Sequence, residues 1–266
     1  MSRLPVKKTY KLYIAGAFPR SESGRTYEAE GQNVARASRK DLRDAVRAAR
    51  SAQPGWAGAT AYNRGQVLYR VAEIMEGRRA QFVELTGDEA EVDAAIDSWV
   101  WYAGWADKLA QVLGASNPVA GPYFNFTVPE PTGVVGVVAP EEPALAGFVA
   151  HLAPVIVGGN AAVIVASQKR PLAAVTLAEV LATSDVPGGV VNLLTGRKDE
   201  LCPVLAAHMD VNAVDVAGCT PEEVVTIEKS AAENVKRVIK NKPGEMSPLL
   251  IAAFMEMKTV WHPIGV

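Results

Sequence analysis

The chain has 266 residues, 49% of them hydrophobic, and its 27 basic and 29 acidic side chains give a formal net charge of −2. That balance excludes the strongly basic surface of a dedicated nucleic-acid-binding protein, and no apolar run reaches the ~18 residues that a membrane span needs. The basic first residues precede no apolar core, so no secretory signal is predicted. The two cysteines, Cys202 and Cys219, have no metal-binding spacing, and the sequence favours a cytoplasmic protein with reduced thiols.

The first part of the chain is predicted to be mainly helical. Residues 11–16 have the pattern of a short strand that enters a turn. A helix is predicted from Ser38, and Pro54 with the glycine that follows it is predicted to end that helix. The acidic segment 87–93 suits the N-terminus of a helix through the helix dipole, which we favour over a metal site. The further predicted helices cover residues 62–76, about 78–86, and from the acidic segment to residue 105.

The stretch from Glu130 to Gly218 organises the chain. It contains four short apolar runs rich in β-branched residues, each followed by a helix-length segment, at 133–139, 161–166, 190–194 and 211–216. Such runs are typical of buried parallel strands joined by crossover helices. The predicted fold class is therefore α/β, with a Rossmann-like parallel sheet. Sheets of this kind bind ligands beyond the carboxyl ends of their strands.

Shorter elements flank this sheet. Residues 123–128 alternate in polarity and are predicted to form one strand of a hairpin. Residues 257–263 are predicted to form a last strand, which a proline closes. Thr220 is the predicted cap of a helix over 221–232, with Pro221 at its first helical position.

The sequence contains no recognisable reactive constellation. It lacks both Gly-x-Gly-x-x-Gly and Gly-x-x-x-x-Gly-Lys-Ser/Thr. The three histidines are scattered, and His151, which lies among Ala, Leu and Val, is interpreted as a core histidine. Judged from residue types alone, this is an α/β protein without an evident catalytic site.

Several segments, in the same order along the chain, resemble the aldehyde dehydrogenase superfamily. The most diagnostic is Pro187-Gly-Gly-Val-Val-Asn-Leu-Leu-Thr-Gly196, and the resemblance covers about residues 10–240. The other matching segments are 11–16, 38–49, 102–108, 130–136, 152–154, 159–160, 208–214 and 257–261. This superfamily has a Rossmann-like NAD-binding domain, an oligomerisation hairpin joined by the C-terminal strand, and a catalytic domain that carries a nucleophilic cysteine.

The resemblance implies a division of the chain. Residues 1–114 and 133–250 are predicted to form the cofactor-type domain, and residues 115–132 and 251–266 the oligomerisation hairpin and C-terminal strand. The catalytic domain is predicted to be missing, because residues 241–257 number only 17, too few for a domain of the usual ~50–200 residues. In this respect the chain resembles the second, inactive domain of two-domain aldehyde dehydrogenases.

The family's functional positions, carried over one at a time, fall on residues without the required chemistry. The Asn that holds the oxyanion falls on Glu142, and a carboxylate repels an oxyanion. The Lys that binds the cofactor ribose falls on Val165, and its nearby Glu falls on Gln168. The glycine turn at the pyrophosphate begins at Gly218, but its second glycine falls on Glu223.

The remaining positions follow the same pattern. Glu222 and Glu223 stabilise an unliganded helix N-terminus and disfavour a pyrophosphate there. The general-base Glu falls near Asn241, and the nucleophilic cysteine has no counterpart. Cys219 lies at the predicted cofactor turn, but with its acidic neighbours it is interpreted, like Cys202, as an inert thiol. We therefore expect no cofactor, because NAD binding is predicted to be lost.

These losses, on a retained scaffold, lead to the hypothesis of a non-catalytic subunit, that is, a pseudoenzyme. Its expected partner is a full-length, active NAD-dependent aldehyde dehydrogenase, or a second copy of itself. Two alternatives stay open: an NAD(P)-dependent aldehyde oxidoreductase activity retained in altered form, and a nucleotide-binding module without chemistry, which would favour a ligand lacking phosphate. The predicted interface residues are Tyr123, Phe124, Phe126, Val128, Met257, Val260 and Trp261.

Overall fold

The computed structural model describes residue 4, residues 7–240 and residues 246–265. Within these residues the strands form a five-stranded parallel sheet, a three-stranded antiparallel sheet and a two-stranded hairpin. The helices are α1 (Arg39–Gly58), α2 (Ala61–Gly77), α3 (Arg79–Thr86), α4 (Glu89–Trp105), α5 (Leu109–Leu113), α6 (Ala144–Val157), α7 (Leu172–Ala182), α8 (Lys198–Ala207), α9 (Pro221–Ala232) and α10 (Pro248–Ala252). None of these helices is both long and apolar enough to cross a membrane.

The five-stranded sheet contains the strands that the apolar runs predict. In spatial order its strands are β7 (Val191–Leu194), β6 (Ala161–Val165), β5 (Val134–Val138), β8 (Ala213–Asp215) and β9 (Arg237–Ile239), all parallel. Every residue of the first four is buried, as expected for apolar strands that helices cover on both faces. The predicted α/β fold with a Rossmann-like parallel sheet is confirmed. The sequence analysis did not identify β9, because three residues that begin with arginine carry no apolar run.

Each face of the sheet has its own hydrophobic cluster. Alternate residues of a strand point to opposite faces, so Val134 and Val138 pack with apolar residues of α1 and α8. Val135 and Val137 pack on the other face, with residues of α4, α6 and α7. The two clusters fix the helices relative to the strand ends at which a ligand site is expected.

Helix α1 is longer than predicted. Pro54 lies inside it and the helix continues to Gly58, so the prediction that Pro54 ends the helix was wrong. A proline removes one backbone hydrogen bond from a helix. Tertiary packing offsets that loss, because Trp56 is buried and its Nε1 donates to the Ile156 carbonyl oxygen at 2.7 Å.

The N-terminal strand prediction was also wrong. Residues 11–16 form no regular strand, and Tyr13 makes only an isolated bridge to Leu193. The strands near this end are instead β1 (Thr26–Ala29) and β2 (Gln32–Ala35), which form a hairpin. Their sequences are short and partly polar, so they show no clear apolar alternation.

The three-stranded sheet is built around β4 (Tyr123–Pro131). The C-terminal strand β10 (Met255–Pro263) pairs antiparallel with it over nine residues, and the short β3 (Ala115–Asn117) pairs with its other edge. Both predicted strands are confirmed, and the C-terminal strand pairs within the chain, a point that the sequence left undecided. The domain boundaries drawn around this sheet stay a prediction.

The acidic segment 87–93 begins α4, as predicted. Asp88 accepts hydrogen bonds from the backbone N–H groups of Ala90 and Glu91, at 2.9 and 3.3 Å, and so caps the helix. Glu91 is buried, and its Oε1 accepts the backbone N–H of Leu145 at 2.6 Å. One acidic segment therefore satisfies the N-termini of both α4 and α6.

Candidate functional site

The topology places the candidate ligand site between the ends of β5 and β8. From β5 the chain moves to β6 and β7 on one side of the sheet, and then crosses to β8 and β9 on the other. In such sheets a crevice opens at this reversal, beyond the carboxyl ends of the two strands, and ligands bind there. Ala139 follows β5 and Gly218 lies in the turn after β8, so these residues mark what we call the switch-point crevice.

A lysine side chain occupies the switch-point crevice. Lys198, the first residue of α8, is buried, and its Nζ donates to the carbonyl oxygens of Ala139 at 2.7 Å and Gly218 at 3.1 Å. The ammonium therefore bridges the ends of β5 and β8. It also lies 2.6 Å from Glu141 Oε1, with which it forms a largely buried ion pair.

The Glu141 carboxylate accepts further hydrogen bonds from the segment after β6. Ser167 Oγ donates to it at 2.6 Å, and the backbone N–H groups of Gln168 and Lys169 donate at 3.3 and 3.1 Å. Burial raises the pKa of Glu141, but the hydrogen bonds from Lys198 and Ser167 outweigh burial and leave this pKa below its ordinary value of 4.5. The protein thus places an anion of its own at the carboxyl edge of the sheet.

The ends of regular elements position both members of the ion pair. Glu141 lies in the connection from β5 to α6, and Lys198 lies in the first turn of α8. Gln168 fixes the start of α8, because its Oε1 accepts the backbone N–H of Lys198 at 3.2 Å. That N–H is one of those at a helix start that have no partner inside the helix. These residues meet because parallel strands all end at the same edge of the sheet.

The structure gives other contacts to the positions that the resemblance assigns to the cofactor. Val165 is the last residue of β6 and is fully buried, and its side chain has no group that could bond a ribose hydroxyl. Gln168 caps α8, and Gly218 gives its carbonyl oxygen to Lys198. Asn241 lies outside the described residues. That these positions no longer bind NAD stays a prediction.

Glu142 is not part of the ion pair in the switch-point crevice. It is exposed, and its Oε2 accepts a hydrogen bond from Arg170 Nη1 at 3.3 Å. Arg170 also donates to the Thr86 carbonyl oxygen at 2.6 Å, which anchors the guanidinium on α3. A carboxylate in this pairing offers no hydrogen-bond donor to an oxyanion.

The turn after β8 enters α9 through a complete capping box. The Thr220 hydroxyl accepts the backbone N–H of Glu223 at 3.3 Å, and the Glu223 carboxylate accepts the backbone N–H of Thr220 at 2.8 Å. The predicted cap and the predicted first-turn Pro221 are confirmed. The Glu223 carboxylate therefore sits at the helix end where a phosphate group would otherwise bind.

Gly218 has a structural role that does not depend on a ligand. Its backbone N–H donates to the Val138 carbonyl oxygen at 2.8 Å. A Cβ atom at this position would lie 1.9 Å from the Ala139 carbonyl oxygen. The close approach of the two backbone segments therefore requires glycine here, which explains why this glycine is present although the second one is replaced.

A cleft of about 240 Å³ lies between α8 and α9, next to the switch-point crevice. Its lining includes Lys198, Cys202, Glu222, Glu223 and Ile227. The apolar floor and the acidic wall on α9 favour a neutral or cationic group over a phosphate.

The two cysteines lie together beside this cleft. Cys202 is buried on α8, Cys219 is half-buried in the turn before α9, and both belong to the same hydrophobic cluster. The neighbouring Cys219 thiol, together with burial, raises the pKa of Cys202 far above its ordinary value. Cys202 is therefore protonated at neutral pH, which does not suit a catalytic nucleophile.

His151 lies in the core, as the sequence predicts. Its Nδ1 is 2.7 Å from Asp215 Oδ2, and both side chains are buried. The Asp215 Oδ1 accepts the backbone N–H of Ala217 at 3.0 Å. Among the described residues, the His151 Nε2 is buried without a hydrogen-bond partner. The pair joins α6 to the end of β8.

The sequence analysis missed Lys198 and the role of Glu141. A charged residue shortly after a buried apolar run could have indicated Glu141, which comes three residues after the end of β5. The family alignment directed attention to its neighbour, Glu142. In the part of the chain that the structure describes, no group of three or more His, Cys, Asp or Glu side chains is arranged to hold a metal ion.

The fold defines an α/β protein with a Rossmann-like parallel sheet, and Lys198 and Glu141 form an ion pair in its switch-point crevice. The sequence profile of the Aldehyde dehydrogenase family matches residues 25–262. The chain belongs to this family, which confirms the resemblance at the family level. That it is a degenerate member stays a prediction.

Individual relatives support this assignment. The chain is 32% identical to human retinal dehydrogenase 2 over 270 aligned residues, which cover 94% of this chain and 51% of that protein. It is 30% identical over 263 residues to aldehyde dehydrogenase, cytosolic 1, of Elephantulus edwardii, covering 91% of this chain and 52% of the relative. The NAD+ complex of an aldehyde dehydrogenase from Bacillus cereus matches with a TM-score of 0.80 at 25% identity, covering 87% of this chain and 50% of the other. The chain thus spans about half the length of these relatives.

Proposed function

We propose that this chain is a non-catalytic aldehyde-dehydrogenase-like subunit. It assembles with a full-length, active NAD-dependent aldehyde dehydrogenase as a structural or regulatory partner. The observation that carries the proposal is the Lys198–Glu141 ion pair in the switch-point crevice. Where a Rossmann-like sheet holds its ligand, this protein holds two of its own side chains.

The ion pair opposes dinucleotide binding energetically. A ligand that displaced Lys198 would leave two carbonyl oxygens without this donor and the Glu141 carboxylate without its counter-charge. Each unsatisfied buried polar group costs roughly 1–3 kcal/mol. A pyrophosphate would also meet the Glu223 carboxylate at the start of α9. The Bacillus cereus relative is an NAD+ complex, whereas we expect this chain to bind no NAD.

The residues at the positions that the resemblance assigns to catalysis also argue against aldehyde oxidation. The oxyanion position carries Glu142, which is paired with Arg170. Cys202 is buried, and its raised pKa keeps the thiol protonated. Retention of an altered aldehyde oxidoreductase activity therefore gains no support from the site.

The strand register divides the predicted interface residues between the two faces of the three-stranded sheet. Phe126 pairs with Val260, so these two residues share a face, and Phe124 and Val128 lie on it as alternate residues of β4. The rings of Phe124 and Phe126 are 5.3 Å apart. Lys258, opposite Val128, and His262, opposite Phe124, lie on the same face. We call it the apolar face of the sheet after its four apolar residues. Exposed apolar residues on one face indicate a surface that a partner covers.

The opposite face contains a polar ladder. Asn117 Nδ2 donates to Asn125 Oδ1 at 2.7 Å, and the hydroxyls of Thr127 and Thr259 are 3.0 Å apart. The remaining predicted interface residues, Tyr123, Met257 and Trp261, lie on this face. Because the ladder is satisfied within the chain, the apolar face is the stronger candidate for assembly.

Affinity purification of the tagged chain from its native cell extract, followed by mass spectrometry, tests the proposal. We expect recovery of a full-length aldehyde dehydrogenase in a fixed ratio. Light scattering on the eluted complex then gives its stoichiometry. A chain that is recovered alone and is a stable, soluble monomer contradicts the assembly role.

The cleft between α8 and α9 favours one second candidate, a nucleotide-binding module without chemistry. Its acidic wall of Glu222 and Glu223 suits a nucleoside better than a phosphate ester. Titration calorimetry with adenosine, NAD+ and NADP+ distinguishes the two functions. Binding of adenosine without a dehydrogenase partner in the pull-down would favour this second candidate.

A further inference from the structure

We propose that Cys202 and Cys219 form a reversible intrachain disulfide that joins α8 to the turn before α9. The two residues lie on the two elements that border the α8–α9 cleft, and their side chains pack in one hydrophobic cluster. The 16 residues 203–218 separate them in the sequence. The disulfide would fix the spacing of the cleft walls.

The two thiols have different environments, and these environments give each a role. Cys219 is half-buried, so an oxidant reaches it from solvent. Cys202 is buried, so it is sheltered from solvent, and it lies one helical turn after Lys198, whose Nζ contacts the carbonyl oxygen of Gly218, the residue before Cys219.

The oxidation balances with hydrogen peroxide as the oxidant. Cys219 loses its thiol proton and its sulfur attacks one peroxide oxygen. The O–O bond breaks, a sulfenic acid forms, and the leaving hydroxide takes up the thiol proton to give the first water. The Cys202 sulfur then attacks Cys219 Sγ, gives up its proton, and displaces the hydroxyl as the second water. Two thiols and one peroxide give one disulfide and two waters. A small dithiol reverses the reaction by exchange.

Peptide mapping of the folded chain after peroxide treatment tests the proposal. Trypsin leaves both cysteines in one peptide, residues 199–229, because no Lys or Arg lies between Lys198 and Lys229. After unfolding and alkylation, we expect this peptide to lack two hydrogens and to carry no alkyl group. A peptide with two alkylated cysteines, or a disulfide only between chains, overturns the proposal.

The order of reaction is tested with single-cysteine variants. Cys202→Ser leaves the accessible thiol without its neighbour, so we expect dimedone to trap a sulfenic acid on Cys219. Cys219→Ser leaves only the buried thiol, and we expect at least a tenfold slower reaction with peroxide. Equal rates in the two folded variants contradict the assigned roles. Mapping of the wild-type chain decides the disulfide itself even where a variant does not fold.

The disulfide has a second observable effect. Closing a loop of this length restricts the unfolded chain, so we expect the oxidised wild-type chain to melt roughly 5 °C above the reduced chain. Addition of a dithiol returns the lower melting temperature. A lower melting temperature after oxidation would show that the native positions do not accommodate the bond.

Discussion

Lys198 contacts three acceptors, the carbonyl oxygens of Ala139 and Gly218 and the carboxylate of Glu141. An ammonium has three N–H donors, so donors and acceptors match in number. Removal of one partner from such a pair leaves the other charge buried, which costs more than the pair contributes when it is intact. The ion pair is therefore a structural part of the sheet edge.

The first prediction concerns Glu141. We expect Glu141→Gln to lower the free energy of unfolding at pH 7 by roughly 2–3 kcal/mol, because Lys198 loses its counter-charge in a largely buried site. Glu142→Gln is the matched control. Glu142 is exposed, and its replacement should change stability by no more than about 0.5 kcal/mol. Urea unfolding measures the free energy of unfolding of both variants. An equal decrease in the two variants would contradict a special role for Glu141.

The same variant has a predicted pH dependence. The pKa of Glu141 in the folded chain lies below its ordinary value of 4.5. A carboxyl with a lowered folded pKa contributes its stability above the unfolded pKa and loses it as pH falls through the folded pKa. The stability difference between wild type and Glu141→Gln should be constant near neutral pH and decrease below pH 4.5. A stability difference between wild type and Glu141→Gln that does not decrease below pH 4.5 argues against the ion pair.

Lys236 gives a third prediction, at alkaline pH. It is nearly buried, its Nζ donates to the carbonyl oxygens of Ala206 at 2.7 Å and His208 at 2.8 Å, and burial lowers its pKa to about 8. Between pH 8 and the ordinary value of 10.5 the unfolded chain binds more protons, so stability rises with pH. Relative to Lys236→Met, the wild type should gain about 1–3 kcal/mol from pH 7 to pH 10. Urea unfolding measures the free energy of unfolding of both proteins. A difference between them that does not change from pH 7 to pH 10 would contradict the lowered pKa.

At the level of elements, the sequence predicts a helix or strand best where the signals lie within that element. The apolar runs identify the four central strands, and Thr220 with Pro221 identifies the start of α9, because burial and capping are local signals. Pro54 is misleading, since the contact that keeps α1 intact comes from α6. The Lys198 contacts are equally non-local, because they depend on how α8 is placed against the ends of β5 and β8.

The apolar face of the three-stranded sheet leads to a fourth prediction. Val260→Lys places a charge opposite Phe126 on that face, and we expect it to weaken assembly at least tenfold, because a buried charge without a partner is costly. Thr259→Lys is the matched control, since Thr259 is the neighbouring residue and lies on the opposite face. Light scattering of each variant, recorded over a range of protein concentrations, measures how strongly it assembles. A larger effect of Thr259→Lys would assign assembly to the face that carries Tyr123 and Trp261.

Considered as a whole, the molecule has the parallel sheet of its family, and Lys198 and Glu141 form an ion pair at the carboxyl edge of that sheet. The match covers about half the length of its relatives. The contacts at the switch-point crevice tie β5, β6, β8 and α8 to one another. In this chain the connection is made by the protein's own side chains and backbone.

The last prediction concerns the response of the whole chain to NAD+. A ligand that binds only the folded state at about 100 times its Kd adds about 2.7 kcal/mol to stability. That gain corresponds to a rise of roughly 5–10 °C in the melting temperature of a chain of this size. We expect no rise with NAD+ or NADP+, because Lys198 and Glu141 occupy the switch-point crevice and Val165 offers no donor to the ribose.

The control for this measurement is Lys198→Ala, which removes the ammonium but leaves Val165 and Glu223 in place. The variant should melt at a lower temperature than the wild type and should still not respond to NAD+, because the ribose and pyrophosphate positions remain unsuitable. A wild-type chain that NAD+ stabilises by several degrees would show that the ion pair opens for the cofactor. The chain would then be a nucleotide-binding member of its family, and the non-catalytic assembly role would lose its main support.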